Sequence, residues 1–232
     1  MIRPVILVYH GVDEVAEAED PSRLVVSPRH LRSHVRLLQG LGYRFLTAEQ
    51  TLDRWAGARP DARTAVLTFD DGFLGWRTRA LPLLAELGVP ATFYVCPGWW
   101  GGRHPDVAGP AGRLLGEEDA RALVEAGMEL GSHTMTHPDL RALDDPRLEE
   151  EVVRSKREVE AVSGRPCRSF AYPFGLFGER EERAVEAAGY ELALGWLPGP
   201  WRTYGAPRLP GPPRHGAMWL ALKLLGLRRP GR

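Results

Sequence analysis

Residues 65–95 read AVLTFDDGFLGWRTRALPLLAELGVPATFYV. Ala65–Phe69 is an unbroken apolar run of strand length, Trp76–Leu87 reads as a helix, and Ala91–Val95 is a second apolar run. Strand, helix and strand in this order form the repeating unit of a parallel sheet. Such strands are buried on both faces, so their apolar residues run continuously instead of alternating.

The same alternation extends in both directions. Toward the N-terminus, Val5–Tyr9 reads as a buried first strand. Ser27 and Pro28 supply an N-cap and an N1 proline, and Leu31, Val35 and Leu38 space a helix that stops near Gly40 to Gly42. Thr47–Gln50, Thr-Ala-Glu-Gln, is a capping box opening another helix. Toward the C-terminus come a helix over Glu117–Ala126, a strand over Met128–Ser132 and a long charged helix over Pro146–Ser163 that ends at Gly164. A strand over Ser169–Tyr172, a helix over Glu179–Ala188 and a strand over Leu192–Gly195 follow. Six or seven such units predict an α/β fold whose parallel sheet closes, or nearly closes, into a helix-covered barrel. The chain reads as a single domain over residues 1–232, with 216–232 as an apolar helix and basic tail.

Two stretches interrupt the pattern. Pro97–Gly116 is rich in Gly and Pro and carries Trp99, Trp100 and His104; Pro198–Pro213 is similar, with Trp201 and Tyr204. Both follow strand ends, where α/β folds place working loops. Their aromatic rings suit either stacking on sugar or stapling the loops to the body. Met218–Leu227 is apolar and is followed by Arg228, Arg229 and Arg232. It reads as a closing helix, with a peripheral membrane contact as the sharper alternative.

Thirty basic residues balance thirty acidic ones, which removes any global electrostatic case for a nucleic-acid partner. Hydrophobic residues make up 44%, as in ordinary globular chains. All but two of the basic residues are arginine and asparagine is absent, a bias that a GC-rich genome explains, with selection against heat-labile side chains as the alternative. Cys96 and Cys167 form no disulfide framework and read as buried free thiols. The apolar run after Met1 is too short for a signal peptide, and no segment approaches the ~20 apolar residues of a membrane span. The expected location is cytoplasmic. Oligomeric state is not legible.

Chemistry concentrates at strand ends. Thr68-Phe-Asp-Asp-Gly72 offers adjacent carboxylates pointing in different directions, one able to bind a metal while the other remains free as a base. Alone, Asp-Asp-Gly is more often a turn with solvated acids. Gly131-Ser-His133-Thr-Met-Thr-His137 places two histidines four apart, so that on one helical turn their imidazoles share a face. Two histidines and a carboxylate match the three-ligand pattern of catalytic zinc, with a position left for water. Phe170–Gly175, Phe-Ala-Tyr-Pro-Phe-Gly, brings aromatic edges and a backbone N–H to the same face. Tyr9-His10-Gly11 ends the first strand, where His10 is either structural or a proton donor.

Together these motifs resemble the polysaccharide deacetylases of the NodB-homology, carbohydrate esterase 4 group, from about Val5 to Leu209. Residues 170–175 are most similar to the branch acting on poly-N-acetylglucosamine-like chains. The resemblance implies a distorted (β/α) barrel of about seven strands and an acetylated carbohydrate as substrate. It implies a zinc or similar divalent ion, such as Co2+ or Ni2+, on Asp71, His133 and His137. It further implies Asp70 as general base, the Phe174 N–H as oxyanion donor beside Tyr172, and His10 as general acid. Two departures stand out. Ala171 occupies the place of an arginine that steadies the base in many members, for which Arg208 or Arg168 could substitute. The late Leu-x-His motif is missing, and His215 lies in a different context. Two other functions stay open: hydrolysis of a non-sugar C–N bond, and metal-containing carbohydrate binding without turnover.

Overall fold

The computed structural model describes residues 5–55, 63–196 and 202–225. Its strands are β1 (Val5–Tyr9), β2 (Gly11–Val12), β3 (Val25–Val26), β4 (Arg44–Leu46), β5 (Thr64–Asp70), β6 (Thr92–Val95), β7 (Glu129–Ser132), β8 (Ser169–Ala171), β9 (Leu192–Trp196) and β10 (Ala206–Pro210). Its helices are α1 (Pro28–Gly40), α2 (Ala48–Trp55), α3 (Leu81–Leu87), α4 (Glu117–Glu125), α5 (Asp145–Ser163), α6 (Glu179–Ala187) and α7 (Ala217–Leu224).

Seven strands close a parallel barrel, because β1 pairs with β5 on one side and with β10 on the other. Between them the order runs β5, β6, β7, β8, β9, β10. Strand β4 pairs with the start of β5 alone, leaving Thr68–Asp70 to pair with β6. The helix signals act as the sequence predicts. Ser27 Oγ accepts the His30 N–H at 3.2 Å ahead of Pro28. The capping box closes both ways, Gln50 N–H to Thr47 Oγ1 and Thr47 N–H to Gln50 Oε1.

Side chains alternate across each strand, and this parity decides what enters the barrel. Leu7, Leu67, Phe69, Phe93 and Phe170 face the helices and belong to the main apolar core. Ile6, Val66, Tyr94, Ala171, Leu194 and Ala206 form a second, smaller cluster on the other face, inside the barrel. The interior is polar at both ends. Near the strand starts, buried Glu129 accepts from Thr92 Oγ1 at 3.0 Å and from Ser169 Oγ at 2.6 Å. Continued toward the strand ends, the same parity delivers Thr68, Asp70 and Arg208. Gly131 is fixed by this packing, since a Cβ there would stand 2.4 Å from the Tyr94 ring.

Strand β10 corrects the reading of Pro198–Pro213 as one irregular loop. Ala206-Pro-Arg-Leu-Pro210 carries two prolines and a charge, which disguise a strand that closes the barrel between β9 and β1. Helix α7 packs on α1 with Leu220 buried, leaving Met218 and Leu225 exposed. The basic residues Arg228, Arg229 and Arg232 lie outside the described residues, as does Trp201. Cys96 and Cys167 are buried and unpaired. No helix among the described residues is long and apolar enough to cross a membrane.

Candidate metal centre and cleft

Strand ends gather the chemistry at one mouth of the barrel. Asp71 leaves β5 with φ of 85°, and Thr134, His137 and Phe174 are also left-handed, at 67°, 58° and 57°. Non-glycine residues adopt this conformation at a cost of about 1 kcal/mol or more each, and such strain collects where side chains must be aimed.

Asp71 Oδ1 lies 3.5 Å from Nε2 of both His133 and His137, and is buried without a hydrogen-bond partner. The ligand atoms of the three residues lie within 4.8 Å of one another. His133 is oriented for coordination: its Nδ1–H donates to the Ala171 carbonyl at 2.6 Å, leaving the Nε2 lone pair toward Asp71. An orphaned carboxylate oxygen facing two imidazole nitrogens fits a divalent ion, and no donor among the described residues satisfies it.

The two histidines do not share a helical turn. Residues 133–137 form a loop in which left-handed Thr134 and His137 replace helical geometry. Thr134 Oγ1 accepts the His137 N–H at 3.0 Å, while the Glu151 carboxylate accepts from Met135 N, Thr136 N and Thr136 Oγ1. This lacing brings the rings to 4.9 Å between centroids. Burial and then the neighbouring His133 pull the His137 pKa down to about 4, so its ring is neutral at pH 7.

Asp70 is held separately. Arg208 Nη1 donates to its Oδ1 at 2.7 Å, and both side chains are nearly inaccessible. Burial pushes the Asp70 carboxyl up, but the Arg208 charge, His133 and the Arg208 hydrogen bond outweigh it and the net direction is down. Asp71 is lowered too: burial again opposes, and contacts from His104, His10, His137 and His133 prevail. Of the two arginines named above, Arg208 therefore contacts the candidate base. Arg168 instead pairs with Glu191 and Asp53.

A cavity of about 370 Å3 opens over these groups, with His10, Phe174 and Trp196 among its walls. That volume lies within the usual range for small-molecule sites. His10 is anchored through its carbonyl, which accepts the Trp76 indole N–H at 2.7 Å. Phe174 is half exposed and its ring meets His137 at 4.6 Å. Trp196 is 41% exposed on the rim and packs over Gly175.

Tyr172 is a correction. The parity that puts Ala171 inside the barrel puts Tyr172 outside it. Its ring stacks on Phe177 at 4.3 Å, its hydroxyl donates to the Tyr204 carbonyl, and its N–H donates to Leu194 O. Neither group is free for a substrate. Trp99 and Trp100 are partly buried against the core, so they staple their loop. Sequence reasoning missed two site residues. Trp196 lies one residue past the strand as read, and His104 touches Asp71 from a loop where a lone histidine gives no spacing signal.

The sequence model of a family described as polysaccharide deacetylase matches residues 57–193. YxkH of Bacillus subtilis, whose name places it among the polysaccharide deacetylases, is 26% identical over 195 residues, covering 84% of this chain and 64% of that one. A chitooligosaccharide deacetylase of Rhizobium leguminosarum bv. phaseoli is 30% identical over 172 residues, 69% of this chain and 68% of the other. The chain thus spans about two thirds of the length of these curated relatives. Among solved structures, the Streptococcus pyogenes deacetylase PplD superposes with a TM-score of 0.82 at 21% identity, over 96% of this chain and 98% of that one. IcaB from Ammonifex degensii follows the same fold, with a TM-score of 0.74 at 24% identity over 90% and 91%.

Proposed function

The chain belongs to the polysaccharide deacetylase family, and on that premise we propose that it hydrolyses acetyl groups from a carbohydrate with a divalent ion held by Asp71, His133 and His137. The observation that carries this reading is the buried, unpartnered Asp71 Oδ1 facing two histidine Nε2 atoms beside an ionised Asp70. When bound, the ion polarises the acetyl carbonyl and lowers the pKa of water toward about 7. Zn2+, Co2+ and Ni2+ all suit such a donor set.

The protein's own groups supply the remaining steps. Asp70, kept ionised by Arg208, takes a proton from the attacking water. The Phe174 N–H stabilises the oxyanion, an interaction typically worth about 3 kcal/mol of barrier. His10 gives a proton to the departing nitrogen or oxygen. An amine needs that proton more than an alkoxide does, so His10 matters more for N-acetyl than for O-acetyl substrates. Trp196 and Phe174 offer exposed aromatic surface against which a sugar ring can lie. The chitooligosaccharide deacetylases among the relatives make N-acetylglucosamine oligomers the first substrates to try. The arginine missing from residues 170–175 favours a silent carbohydrate-binding protein, whereas the bond from Arg208 to Asp70 supports the catalytic reading.

The test is acetate release from N-acetylglucosamine oligomers by protein stripped of metal and refilled with Zn2+ or Co2+. Acetate that returns with metal supports the reading. Ammonia release from non-sugar amides, without acetate from sugars, would replace it with a different C–N hydrolase.

A further inference from the structure

The two oxygens of the Asp71 carboxylate have different surroundings. Oδ1 faces His133 and His137 and has no hydrogen-bond partner. Oδ2 lies 3.3 Å from Nε2 of His104, a residue buried in the loop between β6 and α4. The other ring nitrogen of His104, Nδ1, accepts the Asp106 N–H at 3.1 Å. A nitrogen that accepts carries no proton, so the neutral ring holds its proton on Nε2, toward Asp71. His104 therefore offers Asp71 a donor, and offers an ion no lone pair.

The ring is fixed as well as oriented. It stacks on Phe73 at 4.8 Å and 19°, and meets Trp99 edge-on at 5.6 Å. Backbone bonds tie its loop to the turn that carries Asp71: His104 N–H donates to Gly112 O, Leu114 N–H to Gly102 O, and Leu115 N–H to Gly72 O. Loop and turn are thus built as one piece.

We propose that His104 is a positioning residue that occupies Asp71 Oδ2 and so restricts this carboxylate to a single metal bond through Oδ1. A carboxylate free at both oxygens can chelate an ion with both. With Oδ2 engaged, the protein supplies three ligand atoms in place of four, and positions stay open for water and the acetyl oxygen. Partners of this kind aim the ligand and tune the metal. The inference rests on the Asp71–His133–His137 metal reading.

Cobalt tests both levels separately. Apoprotein is titrated with Co2+, the dissociation constant is measured, and the visible d–d spectrum, whose intensity falls as coordination number rises, is recorded. Wild type binding one Co2+ that His133→Ala fails to bind establishes the metal reading; its absence sinks that reading before His104 is compared. His104→Phe keeps an aromatic ring on Phe73 without an N–H, and His104→Met serves where phenylalanine does not fold. His104→Gln restores an amide donor near Oδ2. The expected result is affinity weakened about 10-fold to 100-fold with fainter bands in His104→Phe, and a near-wild-type spectrum in His104→Gln. Wild-type affinity and spectrum in His104→Phe would overturn the proposal. So would a spectrum showing that a nitrogen ligand has been lost in both variants, because His104 would then bind the ion itself.

Discussion

Arg208 Nη1 stands 2.7 Å from Asp70 Oδ1, although the two residues are 138 apart in sequence. Barrel closure explains the meeting. Their strands, β5 and β10, both flank β1, and the interior parity that carries Ile6 and Val66 inward also carries Asp70 and Arg208 inward. A guanidinium in the barrel wall thus neutralises a carboxylate that burial alone would protonate.

Replacing Arg208 with methionine should expose that balance. Breaking a buried pair by removing one partner costs roughly 3–5 kcal/mol, so the melting temperature should drop. The Asp70 carboxyl, relieved of its largest lowering influence, titrates at higher pH. Asp70 must be ionised to act as base, so the acid limb of the kcat/KM profile should move to higher pH, and less so in Arg208→Lys. An unmoved acid limb in Arg208→Met would separate this pair from catalysis.

Asp70→Asn and His133→Ala divide the roles of base and ligand. The first should retain its metal and lose nearly all turnover; the second should lose both. Elemental analysis of the two purified proteins beside acetate release decides, and a metal-free Asp70→Asn would assign Asp70 to the coordination sphere.

Most of the fold was legible because continuous apolar runs, caps and capping boxes act locally. The Asp71, His133 and His137 cluster was legible because residue type and strand-end position converge on it. What failed depends on conformation that residue type does not announce. Thr134 and His137 take left-handed backbone, so His-x-x-x-His became a laced loop. Pro207 and Pro210 hid the strand that carries Arg208. Tyr172 was misplaced by ignoring alternation past Ala171, and His104 finds Asp71 only through the tertiary path of its loop.

Gly175 has φ of 65°, and an added Cβ would stand 1.3 Å from Trp196 Cδ1. Gly175→Ala should therefore push Trp196 off the cavity wall and destabilise the protein by about 1 kcal/mol or more from backbone strain alone. Loss of a stacking surface should raise KM for oligomers more than it lowers kcat. Trp196→Ala removes the obstacle, so the double variant should cost less than the sum of the two. Strict additivity in a double-mutant cycle would show that the two residues are not coupled.

His34 contributes to the response to acid. It is fully buried in α1, where its Nε2–H donates to the His215 carbonyl at 2.7 Å and its Nδ1 accepts the Tyr9 hydroxyl at 3.1 Å. The bonds suit a neutral ring, and burial pulls its pKa down to about 4 from 6.5. Between these values the unfolded chain binds a proton that the folded chain refuses. Stability therefore falls as pH drops from about 6.5 toward 4 and levels off below, a loss of about 3 kcal/mol from this group. His34→Gln keeps a donor and an acceptor but cannot titrate. Urea unfolding of both apoproteins at pH 7 and pH 4.5 isolates the effect, since the two proteins differ only at residue 34. Wild type should lose more stability than the variant between the two pH values, and equal losses would show that His34 takes up its proton without resisting it.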